Sequence, residues 1–236
     1  MCYSNSSTST TQQLAERYQK LQPGQPIELQ YYFASGFQFP IWPIVTNDQL
    51  LQQMRWGLLP RWFSGSNPIE FASKTLNARL ETATEKASFK HLLTSNRCLV
   101  PSTGFFEWQT NGKMKQPYMI QLQNESIFSI AGLHDTWLNP STGQKEQTFT
   151  ILTTQANSLM AEIHNTKLRM PLVLQPNEEK EWLAGLLQPA ELFDRSSIQL
   201  EAWPVDKQII LGPQANQAAA HQRYYSPFGQ QKSLFD

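Results

Sequence analysis

Gly104-Phe105-Phe106-Glu107-Trp108-Gln109-Thr110-Asn111-Gly112-Lys113-Met114-Lys115-Gln116-Pro117-Tyr118-Met119-Ile120-Gln121-Leu122-Gln123 is the stretch that decides the fold. Asn-Gly between two apolar runs is the strongest short-range hairpin signal, because both residues tolerate positive φ. It predicts a hairpin joining residues 104–109 to residues 117–123. Upstream, residues 97–100 read as a strand that breaks at Pro101. Residues 54–59 read as a short buried strand closed by Pro60. Residues 31–45 read as a loop followed by a short strand, interrupted by Gly36, Pro40 and Pro43. Downstream, strands are expected at 127–133, 148–154, 169–174 and 198–205.

Helical signals are fewer. Leu14, Tyr18 and Leu21 recur at helical spacing over residues 11–22, and Pro23-Gly24 stops them. A short helix is expected over 155–163. Asn177 is placed to cap another that runs to Leu187. Many short strands with a few peripheral helices predict an α+β domain built on a strongly bent, mostly antiparallel sheet or half-barrel. The domain is expected over residues 2–211. From Gly212 the chain turns rich in Gln, Ala, Ser and Gly, so residues 212–236 read as a flexible tail. There is no internal repeat and no Gly-rich phosphate loop.

Of 236 residues, 40% are hydrophobic and 16% charged, enough for a packed core. The net charge is zero, which argues against tight, indiscriminate nucleic-acid binding. The balance is uneven, however. Residues 55–115 hold nine basic and four acidic residues, and residues 178–201 hold two basic and six acidic. Two cysteines, Cys2 and Cys98, make no disulfide framework, and no Cys/His spacing points to zinc. No metal or organic cofactor is expected. The polar start MCYSNSSTST is no secretory signal, and no apolar run spans a membrane. The expected location is the cytoplasm, in reach of the nucleoid.

Cys2 is the first candidate for chemistry. Removal of Met1 would leave it with both a free α-amine and a thiol. Their reference pKa values, about 7.7–8.0 and about 8.5, keep both partly nucleophilic at neutral pH. Such an aminothiol condenses with an aldehyde to a Schiff base and closes a thiazolidine ring. Glu107 lies among aromatics, where desolvation lifts a carboxyl into the range useful for proton transfer. His164 follows the short helix as a second candidate acid or base. Asn77 and Arg79 lie two apart, so an extended chain turns them to one side. An amide to align a reacting group and a guanidinium to grip phosphate suit nucleic-acid chemistry. Cys98 is expected to be a buried, inert thiol.

The order of the segments resembles the SRAP family, abasic-site-processing proteins also called SOS-response-associated peptidases. The resemblance is carried by Met1-Cys2, Trp56-Gly57-Leu58-Leu59-Pro60-Arg61-Trp62, Asn77-Ala78-Arg79-Leu80-Glu81-Thr82 and Arg97-Cys98-Leu99-Val100-Pro101. It continues through Gly104-Phe105-Phe106-Glu107-Trp108, Phe149-Thr150-Ile151-Leu152-Thr153-Thr154, and His164 with Arg169-Met170-Pro171. It implies that Cys2 is the crosslinking nucleophile, with Asn77, Glu107 and His164 as its catalytic partners. The target would be the sugar aldehyde of an abasic site in single-stranded DNA, captured reversibly as a thiazolidine. Arg79, Arg169 and Thr153 would bind phosphates, and Trp62 and Phe63 would stack on bases. Two departures are visible: Tyr3-Ser4 replaces a Gly-Arg pair, and four residues separate His164 from Arg169, so that Lys167 is a further candidate for the charge.

Gln231, Leu234 and Phe235 in the tail resemble a peptide that binds the bacterial sliding clamp, an extended Gln before an apolar pair. Two other functions fit parts of the sequence. One is an N-terminal-nucleophile cysteine peptidase or hydrolase, in which the Cys2 thiol attacks an acyl carbon. The other is a non-catalytic single-strand-binding module.

Overall fold

The computed structural model describes residues 2–22 and 29–225. Among the described residues the strands are β1 Ser4–Ser7, β2 Tyr31–Ser35, β3 Ile41–Ile44, β4 Gln52–Trp56, β5 Asn77–Arg79, β6 Arg97–Ser102 and β7 Gly104–Asn111. They continue with β8 Met114–Leu122, β9 Phe128–Leu138, β10 Lys145–Gln155, β11 Arg169–Pro171, β12 Val173–Leu174 and β13 Leu200–Pro204. The helices are α1 Thr11–Tyr18, α2 Pro68–Lys74, α3 Leu80–Ala83, α4 Leu92–Ser95, α5 Ser158–Ile163, α6 Pro176–Leu183 and α7 Lys207–Leu211.

The strands form two sheets. One has the order β13-β8-β7-β1-β2; the other runs β12-β9-β10-β4-β3, with β5 and β11 also on β10 and β6 on β9. Pairing is antiparallel except where β4 and β5 run parallel to β10. This is the expected α+β class, with mixed sheets and few helices. Chain order explains how the sheets are joined. β6 belongs to one and β7 to the other, with only Thr103 between them. Trp42, Trp56, Phe105, Phe149 and Ile151 from both sheets share one core, and all are fully buried. Each such side chain contributes about 1.5–3 kcal/mol of burial.

The hairpin forms, one residue away from the expected turn. Asn111 pairs with Met114, so the loop is Gly112-Lys113. Gly112 has φ +59° and Lys113 stays at negative φ, the II′ pattern with glycine first. Pro101 does not break its strand: it pairs with Ser129, and its carbonyl accepts a 2.8 Å hydrogen bond from Trp42 Nε1. A proline lacks only the donor, so it is tolerated wherever its nitrogen is not needed by the ladder.

Other boundaries differ as well. Residues 31–45 are two strands around a 3₁₀ turn. α1 ends at Tyr18 because Gln19 adopts the left-handed conformation, φ 53°, and closes the helix with its N–H on Ala15 and Glu16 carbonyls. Gln175, not Asn177, caps α6: its N–H donates to Glu178 Oε2 at 2.8 Å, and the helix stops at Leu183. β10 extends to Gln155, and Asn157 caps α5. Residues 212–225, expected to be loose, pack on the β1–β2 edge. Asn216 Oδ1 accepts from Tyr32 N at 2.7 Å, and His221 Nε2 donates to the Tyr32 carbonyl at 2.7 Å. Among the described residues no helix is long and apolar enough to cross a membrane.

Candidate active site

β7 is an interior strand, held by β1 on one side and β8 on the other. Glu107 therefore lies inside the molecule, 4% exposed, beside the fully buried Phe106. Burial pushes its carboxyl up to about 8, so the neutral acid dominates at pH 7. β1 runs antiparallel to β7 with Ser4 opposite Phe106, which brings the start of the chain against Glu107. Cys2 is fully buried there, its thiol donating to the Ser4 carbonyl at 3.5 Å. Burial raises the thiol pKa strongly, and the nearby Glu107 charge adds to the effect.

His164 closes the group. It ends α5, where its N–H donates to the Met160 carbonyl at 2.7 Å. Its Nδ1 donates to the Arg169 carbonyl at 2.8 Å, and Nε2 lies 3.8 Å from Glu107 Oε2. A carbonyl only accepts, so the proton is assigned to Nδ1 and the Nε2 lone pair faces Glu107. Burial lowers the imidazole pKa and keeps it neutral. A protonated carboxyl beside a neutral imidazole can pass a proton in either direction after a small movement.

The four residues between His164 and Arg169 form a turn. Leu168 N donates to the His164 carbonyl at 2.9 Å, with Leu168 at φ +52°. Asn165 in this turn bonds Thr110 of β7 in both directions, at 2.9 and 3.1 Å. Gln109 Nε2 also donates to the Glu162 carbonyl at 3.0 Å. These contacts dock the His164 segment onto the strand that carries Glu107. Nothing in the residue types pointed to Asn165 or Gln109, because their partners are backbone groups remote in sequence.

Asn77 arrives on β5 opposite Ile151. Ile151 and Leu76 pack in the core that holds Cys2. The Asn77 amide is buried, and neither its nitrogen nor its oxygen has a hydrogen-bond partner among the described residues. Buried amides are normally satisfied, so this one keeps hydrogen-bonding capacity for a group from outside the chain.

The other candidates divide. Arg79 and Lys167 are exposed and line a groove of about 340 Å³. Arg169 forms one wall of it, but its side chain is 7% exposed, and its guanidinium is held by Glu81 at 2.6 and 2.8 Å and by the Thr153 carbonyl at 2.6 Å. Thr153 is fully buried beneath it. Both residues therefore build the groove rather than its open face. Glu81, which fixes Arg169, lies in the same Asn77–Thr82 segment, and its residue type alone does not point to this pairing. Trp62 is 53% exposed, edge-on to Phe71, whereas Phe63 is half-buried against Phe71 and Trp137. The basic stretch is partly neutralised: Arg55 pairs with Glu146, Arg61 with Asp135 and Lys74 with Glu70. Arg97 is buried over Trp182. Gln231, Leu234 and Phe235 lie outside the described residues. Among the described residues no group of three or more His, Cys, Asp or Glu could hold a metal.

The fold is thus an α+β one whose two sheets meet at Thr103 and carry Cys2 beside the Glu107–His164 pair. The family model described as SOS response associated peptidase (SRAP) matches residues 1–210, and the chain belongs to that family. Among its relatives, abasic site processing protein YoaM of Bacillus subtilis (strain 168) is 40% identical over 183 residues, 73% of this chain and 75% of its own. Abasic site processing protein YoqW of the same strain is 38% identical over 167 residues, 66% and 71%. Abasic site processing protein HMCES of Xenopus tropicalis is 35% identical over 157 residues, 58% of this chain but 46% of its own length. The matched region thus spans about half of that vertebrate relative. A crystal structure of a Bacteroides thetaiotaomicron protein superposes with TM-score 0.88 at 37% identity, covering 95% of this chain and all of its own. One from Bordetella bronchiseptica shares the fold, with TM-score 0.72 at 19% identity over 87% of this chain and all of its own.

Proposed function

We propose that this protein processes abasic sites in single-stranded DNA by reversible covalent capture through Cys2, once Met1 is removed. The observation that carries the reading is the Glu107–His164 pair beside the start of the chain, in a family whose relatives are named for abasic-site processing. The Cys2 amine adds to the ring-opened sugar aldehyde, one amine proton passing to the aldehyde oxygen, to give a carbinolamine. His164 Nε2 accepts a proton from nitrogen, and neutral Glu107 gives one to the departing oxygen. Water leaves and an imine remains. The thiol then adds to the imine carbon, its proton goes to nitrogen, and the thiazolidine closes. The reverse path uses the same two groups.

Asn77 holds the reacting carbon's substituents with its unpartnered amide. Arg79 and Lys167 take the phosphates on either side, and Trp62 stacks on a base. A thiol whose pKa is raised by burial is a poor thiolate, which favours the amine-first route over attack on an amide.

The test is a denaturing gel of protein mixed with a single-stranded oligonucleotide carrying one abasic site. Wild type should give a heat-resistant shifted band; Cys2→Ala, and a variant with one residue inserted before Cys2, should not. No band from protein shown by mass spectrometry to lack Met1 would overturn the reading. The clamp peptide is a separate proposal: replacing Leu234 and Phe235 by Ala should abolish binding to purified bacterial sliding clamp.

A further inference from the structure

A second cavity opens at Glu107, and its lining includes none of the residues assigned above to phosphate binding. It encloses about 490 Å³, within the roughly 300–1,000 Å³ of small-molecule sites. Aromatic rings make its walls: Tyr3 against Phe37 at 4.9 Å, Phe33 edge-on to Phe106 at 5.1 Å, and Trp108. Ser35 and Gln38 supply polar groups on the same lining. The far wall is the end of α7 and residues 212–216. This wall begins where the family match ends, at residue 210. It is fixed by Asn216, whose Oδ1 accepts from Tyr32 N at 2.7 Å and Phe33 N at 3.4 Å.

We propose that this cavity is a base subsite that takes the nucleobase directly adjoining the abasic sugar. The inference rests on the function proposed above. Glu107, which lies against Cys2, and Tyr3, which follows Cys2 in the chain, both line the cavity, so a strand whose sugar reaches Cys2 has its next nucleotide at the mouth of the cavity. Flat aromatic walls offer any base a face to stack on, while the serine and glutamine groups meet its polar edge. A base drawn in this way must be unpaired, so the subsite selects a single-stranded flank on one side of the lesion.

The test uses an oligonucleotide with tetrahydrofuran in place of the abasic sugar, which binds but cannot crosslink. 2-Aminopurine is placed on its 5′ or 3′ side. One of the two positions should change fluorescence sharply on binding, through stacking in the cavity. Phe37→Ala, at a position 54% exposed and so safe for folding, should weaken binding about five- to ten-fold and reduce that change. Asn216→Ala, which frees the far wall, should do the same. Crosslinking rate at saturating abasic oligonucleotide should stay within about two-fold of wild type. Unchanged fluorescence at both positions, or unchanged affinity in both variants, overturns the subsite while wild-type crosslinking still supports the function. Absence of wild-type crosslinking overturns the function itself.

Discussion

Asn165 and Thr110 exchange two hydrogen bonds, Thr110 N to Asn165 Oδ1 at 3.1 Å and Asn165 Nδ2 to the Thr110 carbonyl at 2.9 Å. This exchange fastens the residue after His164 to the strand three residues beyond Glu107. Glu107 and His164, the proposed acid and base, come from segments more than fifty residues apart, and this exchange docks one segment on the other. Asn165→Ala should cost only about 1 kcal/mol of stability, because the bonds are exposed. It should slow crosslinking about ten-fold or more, because proton transfer depends on sub-ångström placement. Equal crosslinking rates at saturating oligonucleotide would remove Asn165 from this role.

The pH profile of crosslinking should be bell-shaped. Its acid limb reports the Cys2 amine, with a reference pKa of about 7.7–8.0. Its alkaline limb reports Glu107, pushed up to about 8. Glu107→Gln should lose the alkaline limb and about 10²-fold or more in rate. A profile that keeps rising past pH 9 in wild type would exclude Glu107 as the acid.

The same raised pKa makes stability depend on pH. Between an unfolded value of about 4.3 and the folded value, the folded chain keeps a proton that the unfolded chain has lost. That contribution is complete at low pH and disappears as pH rises through about 8. His164 works the other way: its lowered pKa costs stability only as pH falls through the ordinary histidine range. From pH 6.5 to 8.5 the slope therefore belongs to Glu107. Urea midpoints should fall over that range in wild type and stay nearly level in Glu107→Gln. Parallel curves would mean the carboxyl is not held neutral.

Arg79 and Glu81 are two residues apart and should respond oppositely. Arg79→Ala should leave stability within about 0.5 kcal/mol. It should weaken single-strand binding and reduce the salt dependence by about 0.7 in log–log slope. Glu81→Ala strips the buried Arg169 guanidinium of its carboxylate and should cost about 1.5–3 kcal/mol. Melting curves and salt titrations of the two variants separate these outcomes.

Gly132 lies where β6 and β10 close on β9. A Cβ there would come within 2.9 Å of Cys98 Sγ, the Thr150 carbonyl oxygen and Val100 Cγ2. Gly132→Ala should destabilise by about 1–3 kcal/mol, read from thermal unfolding. Cys98 is fully buried with its thiol pKa raised by burial, so thiol reagents should leave it unmodified in the native protein. Rapid labelling at Cys98 would contradict this packing.

Much of this was legible in the residues. Asn111-Gly112 announced the hairpin that carries Glu107, and the strands expected at 127–133 and 148–154 form as parts of the longer β9 and β10. The acid–base pair was legible only one residue at a time, because the contact between Glu107 and His164 is made by the docking of a turn. Short helices α2, α3 and α4 went unread. Asn67-Pro68 did mark the start of α2, with Asn67 Oδ1 accepting from Glu70 N, but seven residues carry too little periodicity to register. Pro101 misled because a strand needs its donors only on alternate residues toward a given neighbour. Arg169 misled because charge says nothing of burial: the sequence shows a cation, and Glu81 has already claimed it.

β1 lies between β2 and β7, partners that begin at residues 31 and 104. Cys2 leads into β1, and the strand that receives it, β7, lies about a hundred residues further along the chain. The site has no local precursor: Cys2, Glu107 and His164 meet only once long-range pairing is complete, and such pairing is slow to form. The grouping of Cys2, Glu107 and His164 is therefore a property of the finished fold, absent from any partial one.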